Sequence, residues 1–106
     1  MSYIEEIEVA ELQQQLATGS EDIQLIDLRR PAEIIRGMIP GADRLPLHLI
    51  PENLNQLARD RTLVLYCQVG VRSAQACSYL TSNGFDNVVS LRGGIQAWTN
   101  SGLIVA

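Results

Sequence analysis

The stretch of sequence that decides the fold is Leu63-Val64-Leu65-Tyr66-Cys67-Gln68-Val69-Gly70-Val71-Arg72-Ser73. Its first four residues form an uninterrupted apolar run, which is typical of a strand buried on both faces of a sheet. Downstream, a stripe with the helical spacing i, i+3, i+4 and i+7 is formed by Ser73, Ala76, Cys77 and Leu80. Gly84 is well placed to end that helix. The stretch therefore predicts a central strand followed directly by a helix.

The segments on either side repeat this alternation of helical and extended patterns. Helical patterns occupy residues 9–19, 31–36, 51–57 and 94–98, and short apolar or extended runs occupy 23–28, 44–45 and 88–91. Strands that alternate with helices over short connections predict a parallel sheet covered by helices on both faces. The sequence therefore indicates the α/β class.

The composition fits one globular domain over residues 1–106. Of the 106 residues, 46% are hydrophobic and 19% are charged, and a chain of this length buries roughly two-thirds of its unfolded surface. No apolar run approaches the ~18 residues of a membrane span, and the amino terminus is acidic where a signal peptide is basic. We therefore expect a cytoplasmic protein with a solvated amino terminus and no membrane partner.

Charge and metal-ligand content argue against several kinds of partner. The net charge is −4, without the clustered Lys and Arg that nucleic acids or anionic membranes require. The two cysteines and His48 lack the paired spacing of a zinc site, so we expect neither a metal nor another cofactor. Cys77 lies on the apolar stripe of its helix, where a packed core thiol is favoured over a resolving cysteine. His48 is assigned no role.

Cys67 is the candidate catalytic residue. It stands at the carboxyl end of the predicted central strand, where open α/β sheets bind ligands. A loop wound around its sulfur directs successive backbone amides inward, and the helix that follows adds its positive end. Such a field lowers the pKa of a thiol and stabilises a thiolate, a persulfide or a phosphate.

Two further loop residues suit an anion site. Gly70 allows the positive φ that an inward-turning loop needs, and Arg72 supplies a permanent positive charge. The alternative is a buried structural cysteine followed by an ordinary helix start. The coincidence of Cys, Gly, Arg and Ser at one strand-to-helix junction favours the functional interpretation.

Three stretches resemble the rhodanese homology domain, and together they cover nearly the whole chain. They are Ile26-Asp27-Leu28-Arg29 with Glu33, Gly37 and Ile39-Pro40-Gly41-Ala42; then Cys67 to Ser73; then Gly93-Gly94-Ile95 with Trp98 and Gly102. The first stretch departs from the family pattern at Ile34, where an aromatic residue is usual, and at Met38, where a histidine is usual.

The resemblance implies a three-layer fold with a central, mostly parallel five-stranded sheet and helices on both faces. It implies that Cys67 takes up sulfane sulfur as a persulfide. The amides implied to cradle that sulfur belong to Gln68, Val69, Gly70, Val71, Arg72 and Ser73. Asp27 and Arg29 become supporting residues near the site, although with Glu33 they also fit an ordinary surface ion-pair network.

The implied partners are a sulfur donor, either thiosulfate or a small-molecule or protein persulfide, and a thiol or cyanide acceptor. Cysteine phosphatases and arsenate reductases are one rival class, but they place one residue more between the cysteine and the arginine than lies between Cys67 and Arg72. The shorter loop suits a single sulfur atom. A non-enzymatic interaction module is the second rival, and an intact Cys67 argues against it. We therefore predict a sulfurtransferase with weak thiosulfate affinity, while the physiological donor, the acceptor and the oligomeric state stay open.

Overall fold

The computed structural model describes residues 4–106, and within this range the chain forms one five-stranded parallel sheet between two helical layers. The strands are β1 (Glu6–Ile7), β2 (Ile23–Asp27), β3 (Asp43–Arg44), β4 (Thr62–Tyr66) and β5 (Val88–Leu91). The helices are α1 (Val9–Gly19), α2 (Pro31–Ile34), α3 (Val71–Ser82) and α4 (Gly94–Asn100), and 3₁₀ turns lie at Ser20–Asp22, Leu47–Leu49 and Leu54–Gln56. The predicted α/β fold with a five-stranded sheet is confirmed.

Strand β4 lies at the centre of the sheet, whose order is β1-β5-β4-β2-β3 with each neighbouring pair parallel. Its continuous apolar sequence follows from this position, because helices cover both of its faces. Leu63 and Leu65 join the core cluster beneath α3, while Val64 and Tyr66 join the cluster beneath α1 and α4. Because parallel strands end at the same edge, the segments after β2, β4 and β5 meet there.

The apolar stripe predicted for α3 is buried. Its inward residues are Ser73, Ala76, Cys77 and Leu80. Burial raises the pKa of Cys77 to about 12, so this thiol stays protonated at neutral pH and packs as a core residue. Trp98 is buried as well, and its indole Nε1 donates to the Ile104 carbonyl over 2.9 Å. It therefore fastens α4 to the carboxyl-terminal residues.

The helices expected over 31–36 and 51–57 are wrong in extent. The first ends at Ile34, and the second is reduced to the 3₁₀ turn Leu54–Gln56. In the second segment side chains replace helical hydrogen bonds, because Asn53 Nδ2 donates to the Leu49 carbonyl over 2.7 Å and Gln24 of β2 bonds the backbone of Gln56 and Ala58. Such local and cross-strand bonds compete with helix formation.

The expectation of a solvated amino terminus holds for the exposed acidic side chains but not for the backbone that carries them. Glu6–Ile7 pairs with β5 at the edge of the sheet, and the Ile7 side chain is buried. Glu6 and Glu8 form ion pairs with Arg92 at 3.1 and 2.9 Å. Glu6 and Glu8 thus lie on either side of Ile7, the buried residue of a short edge strand.

The hydroxyl of Tyr66 links β4 to two other segments, and removing it tests how much these hydrogen bonds stabilise the fold. Its hydroxyl is fully buried, accepts a hydrogen bond from the Ile39 amide at 3.0 Å and donates one to the Asp27 carboxylate. Tyr66→Phe leaves both partners short of a bond, so we expect it to lower the free energy of unfolding by roughly 1–3 kcal/mol in urea titrations. Tyr79→Phe, at the surface of α3, is the matched control. Equal losses in the two variants would contradict this account.

Candidate active site

The Cys67 sulfur lies inside the turn that joins β4 to α3. Gly70 N donates to Sγ over 3.1 Å and Ser73 N over 3.4 Å. The Arg72 amide also donates a hydrogen bond to this sulfur. Gly70 is the N-cap residue of α3 with φ of 106°, a left-handed conformation that glycine adopts without steric cost. Helix α3 begins at Val71, so the second half of the predicted loop is the first turn of the helix and directs its amides at the sulfur.

Opposing effects act on the pKa of the Cys67 thiol. Burial raises this pKa and is the largest single effect, whereas hydrogen bonds from the Ser73 amide and hydroxyl and from the Gly70 and Arg72 amides lower it. The net result is a pKa below the ordinary value of a cysteine. The thiolate, which is the nucleophilic form, is therefore more populated at neutral pH than in a free cysteine.

Helix α4 fixes the direction of the first peptide groups of the loop. Ile95 N donates to the Cys67 carbonyl over 3.0 Å, and Gln96 N donates to the Gln68 carbonyl over 3.1 Å. Gly94, between the loop and this helix, approaches so closely that an added Cβ would lie 2.5 Å from both carbonyl oxygens. The two carbonyls are thereby engaged by α4, and the amides that follow remain available to the sulfur.

Asp27 and Arg29 form a buried pair rather than a surface network, which corrects the alternative considered for them. Arg29 Nη2 lies 2.8 Å from Asp27 Oδ2, with the two side chains 3% and 0% exposed. The same guanidinium donates to the carbonyls of Glu33 and Gly37 at 3.2 and 2.6 Å and to Gln68 Oε1 at 3.4 Å. Arg29 thus connects the end of β2 to α2 and to the loop without facing solvent.

Glu33 pairs with Arg72 instead of joining the Asp27–Arg29 pair. Its two carboxylate oxygens each lie 2.7 Å from an Arg72 nitrogen, and these hydrogen bonds lower the pKa of Glu33 to about 2. Glu33 raises the pKa of Arg72, and the neighbouring Cys67 sulfur raises it further. The positive charge that the sequence placed at the end of the loop is therefore already paired.

The rim of the loop is apolar and the sulfur lies below it. Val69 and Val71 are 56% and 63% exposed, whereas Cys67 is 1% exposed. Of residues 67–73, Gln68 lines the adjacent cavity of about 370 Å³, together with Arg29, Arg36 and others. The sulfur is therefore covered by the residues around it. The partly exposed guanidinium of Arg72 lies beside the sulfur and is held by Glu33.

Within residues 4–106, the side chains form no cluster of three or more metal-ligating residues. In the same part of the chain, no helix is long and apolar enough to cross a bilayer.

The family model of the rhodanese-like domain matches residues 8–101. The chain belongs to the rhodanese-like family. A protein from Allochromatium vinosum named sulfurtransferase is 50% identical over 100 residues, which are 94% of this chain and 92% of that protein. The thiosulfate sulfurtransferase GlpE of Shewanella oneidensis is 36% identical over 98 residues, covering 92% and 95% of the two chains. The crystal structure of a rhodanese-related protein from Thermoplasma volcanium superposes with a TM-score of 0.86 at 31% identity, covering 96% of this chain and 97% of that one.

One residue beside the loop of this rhodanese-like chain was missed by the sequence analysis. Ser90 of β5 is fully buried, and its hydroxyl lies 2.7 Å from that of Ser73. The available signal was a single hydroxyl inside the otherwise apolar run Val88–Leu91. A buried hydroxyl in such a strand requires a hydrogen-bond partner, and that partner here belongs to the candidate site.

The close approach of Gly94 generates a prediction. Gly94→Ala places a methyl group against the carbonyls of Cys67 and Gln68, so we expect the loop to shift, the pKa of Cys67 to rise and the free energy of unfolding to fall by roughly 1–3 kcal/mol. Thiolate ultraviolet absorbance against pH and urea unfolding measure the two effects. Gly102→Ala is the matched control, because Gly102 also has positive φ but nothing lies within 4 Å of its added Cβ. An unchanged thiolate titration in Gly94→Ala would refute the role given to this contact.

Proposed function

We propose that this chain is a sulfurtransferase in which Cys67 carries a sulfane sulfur as a persulfide. Membership of the rhodanese-like family and the sulfurtransferase names of two relatives support a transferase of this kind. The observation that carries the proposal is the sulfur of Cys67, which receives hydrogen bonds from the loop amides and has a lowered pKa.

The proposed reaction has two steps that conserve atoms and charge. In the first, the Cys67 thiolate attacks the outer sulfur of a donor persulfide, the donor S–S bond breaks, and the donor leaves as its thiolate. Cys67 then holds a persulfide whose terminal sulfur is the anion stabilised by the amides. In the second step an acceptor thiolate attacks that terminal sulfur and leaves as a persulfide, which regenerates the Cys67 thiolate. No side-chain base is needed, because the attacking groups are already ionised.

The geometry favours a single sulfur atom over a phosphoryl group. Four residues lie between Cys67 and Arg72, and the amides of Gly70 and Ser73 converge on one atom at 3.1 and 3.4 Å. A tetrahedral oxyanion also needs an available guanidinium, and Arg72 is held at both terminal nitrogens by Glu33. Sulfur transfer therefore ranks above phosphate ester hydrolysis.

The same ion pair favours a persulfide donor over thiosulfate. Thiosulfate is a dianion, and the rim meets it with the apolar side chains of Val69 and Val71 and with an arginine that Glu33 neutralises. A persulfide presents one charged sulfur and an uncharged carbon next to its second sulfur. Because the rim offers no unpaired cation within residues 67–73, the second charge of thiosulfate gains no compensation there.

The central test is sulfur loading. After treatment with cysteine persulfide, we expect the intact protein to gain the mass of one sulfur atom, to lose it to cyanide or dithiothreitol, and to carry it on Cys67 in peptide mass spectra. Cys67→Ser abolishes loading, whereas Cys77→Ala retains it because that thiol is a buried, protonated core residue. Loading that maps to Cys77, or turnover of p-nitrophenyl phosphate without any sulfur transfer, would reject the proposed function.

Donor selectivity gives a second test. Glu33→Gln keeps an acceptor for the Arg30 amide but releases the charge of Arg72, so we expect kcat/KM for thiosulfate to rise about threefold to tenfold, as expected for one uncompensated charge near the surface. The value for cysteine persulfide should change less. Glu21→Gln makes the same change of net charge in the exposed turn before β2, at the opposite edge of the sheet from the loop, and serves as the control. Identical thiosulfate kinetics in both variants would disprove the selectivity argument.

A further inference from the structure

Ser73 is the middle residue of a short hydrogen-bond chain that runs from Ser90 in the sheet to the sulfur of Cys67. Its hydroxyl oxygen lies 3.6 Å from Cys67 Sγ, 3.1 Å from the Gly70 carbonyl and 2.7 Å from the hydroxyl of Ser90. Ser73 and Ser90 are both fully buried. Three polar neighbours therefore compete for one hydroxyl proton.

Counting protons favours one direction of the chain when Cys67 is ionised. A thiolate and a carbonyl oxygen only accept, and a serine hydroxyl has one proton to give. We assign the Ser73 proton to the Gly70 carbonyl or to Sγ, because Ser90 is the one of the three neighbours that can donate instead of accept. In the hydrogen bond of 2.7 Å between the two hydroxyls, Ser90 is therefore the donor and Ser73 the acceptor.

We propose that Ser90 is a positioning residue that orients the Ser73 hydroxyl toward the Cys67 thiolate by donating a hydrogen bond to it. This inference rests on the proposed role of Cys67 as the nucleophile. A hydroxyl that accepts a hydrogen bond is polarised and becomes a stronger donor. A hydrogen bond from Ser90, on β5, leaves the Ser73 proton to the Gly70 carbonyl and the sulfur.

The charged groups around Cys67 do not substitute for this chain. On α3, Arg72 faces the sulfur and is paired with Glu33 of α2. At the end of β2, Asp27 and Arg29 neutralise each other, and after β5 the Arg92 side chain is engaged by Glu6 and Glu8. Tyr66 precedes Cys67, and its hydroxyl is engaged by Asp27 and Ile39. The Ser90–Ser73 chain is thus a neutral, oriented contribution beside balanced ion pairs.

The experiment measures the acid dissociation constant of Cys67 by thiolate ultraviolet absorbance against pH in the full chain. We expect Ser90→Ala to lower this constant about twofold to threefold and Ser73→Ala to lower it about tenfold or more, because the latter removes a direct bond to the charged sulfur. The double variant should match Ser73→Ala alone, since Ser90 acts through Ser73. Unfolding in urea confirms that each variant is folded.

Val88→Ala is the control for loss of packing. Val88 lies on the same strand and the same face as Ser90 and contributes only apolar contacts to the core, so its truncation should lower stability without moving the thiolate titration. An unchanged constant in Ser90→Ala, or a further loss in the double variant beyond Ser73→Ala, overturns the proposal. If the variants show these shifts but the wild-type chain takes up no sulfur, the sulfurtransferase function is rejected and the role of Ser90 stands.

Discussion

Two hydrogen bonds from the start of α4 to the carbonyls of Cys67 and Gln68 determine what the rest of the site can do. A peptide group has a donor and an acceptor on opposite sides, so engaging the carbonyls on one side leaves the following amides free on the other. With Gly70 in a left-handed conformation, the chain then turns around the sulfur and enters α3. The glycine at position 94 is the steric condition for this arrangement, because α4 must approach the loop to within contact of its backbone.

In this arrangement, hydrogen bonds from several backbone amides offset the cost of burying the Cys67 thiolate. Removal from water is the largest single effect on the Cys67 thiol, yet its pKa is lowered because fixed donors replace the lost water. Oriented amides need no reorganisation when a charge forms on the sulfur, which is the condition for effective electrostatic stabilisation. The neighbouring ionic groups contribute little net charge, since Arg72 is balanced by Glu33 and Arg29 by Asp27.

The sequence predicted those parts that are specified over a few residues and missed those that depend on distant partners. The apolar run of β4 and the stripe of α3 are local patterns, and both were located within one or two residues. Glu33 and Arg72 are 39 positions apart, and nothing in either segment indicated that they would pair. Ser90 was missed for a similar reason, because a lone hydroxyl in an apolar strand shows that a partner is needed but not that the partner is Ser73 of the facing helix.

The Cys67 sulfur is buried, and the residues above it, Val69, Val71 and the Arg72–Glu33 pair, carry no net charge. Both features bear on which sulfur donor the site would accept. The stabilising field comes from amide dipoles, whose effect is confined to contact distance, and not from a net positive charge that attracts anions from afar. A ligand benefits only if its charge resides on the atom that enters the loop. In cysteine persulfide the carboxylate is balanced by the molecule's own ammonium group, so its uncompensated charge lies on the terminal sulfur, whereas the oxygen atoms of thiosulfate would carry charge outside the loop, against Val69 and Val71. Under the proposed function, we therefore expect the site to discriminate by the position of negative charge within the donor rather than by its total.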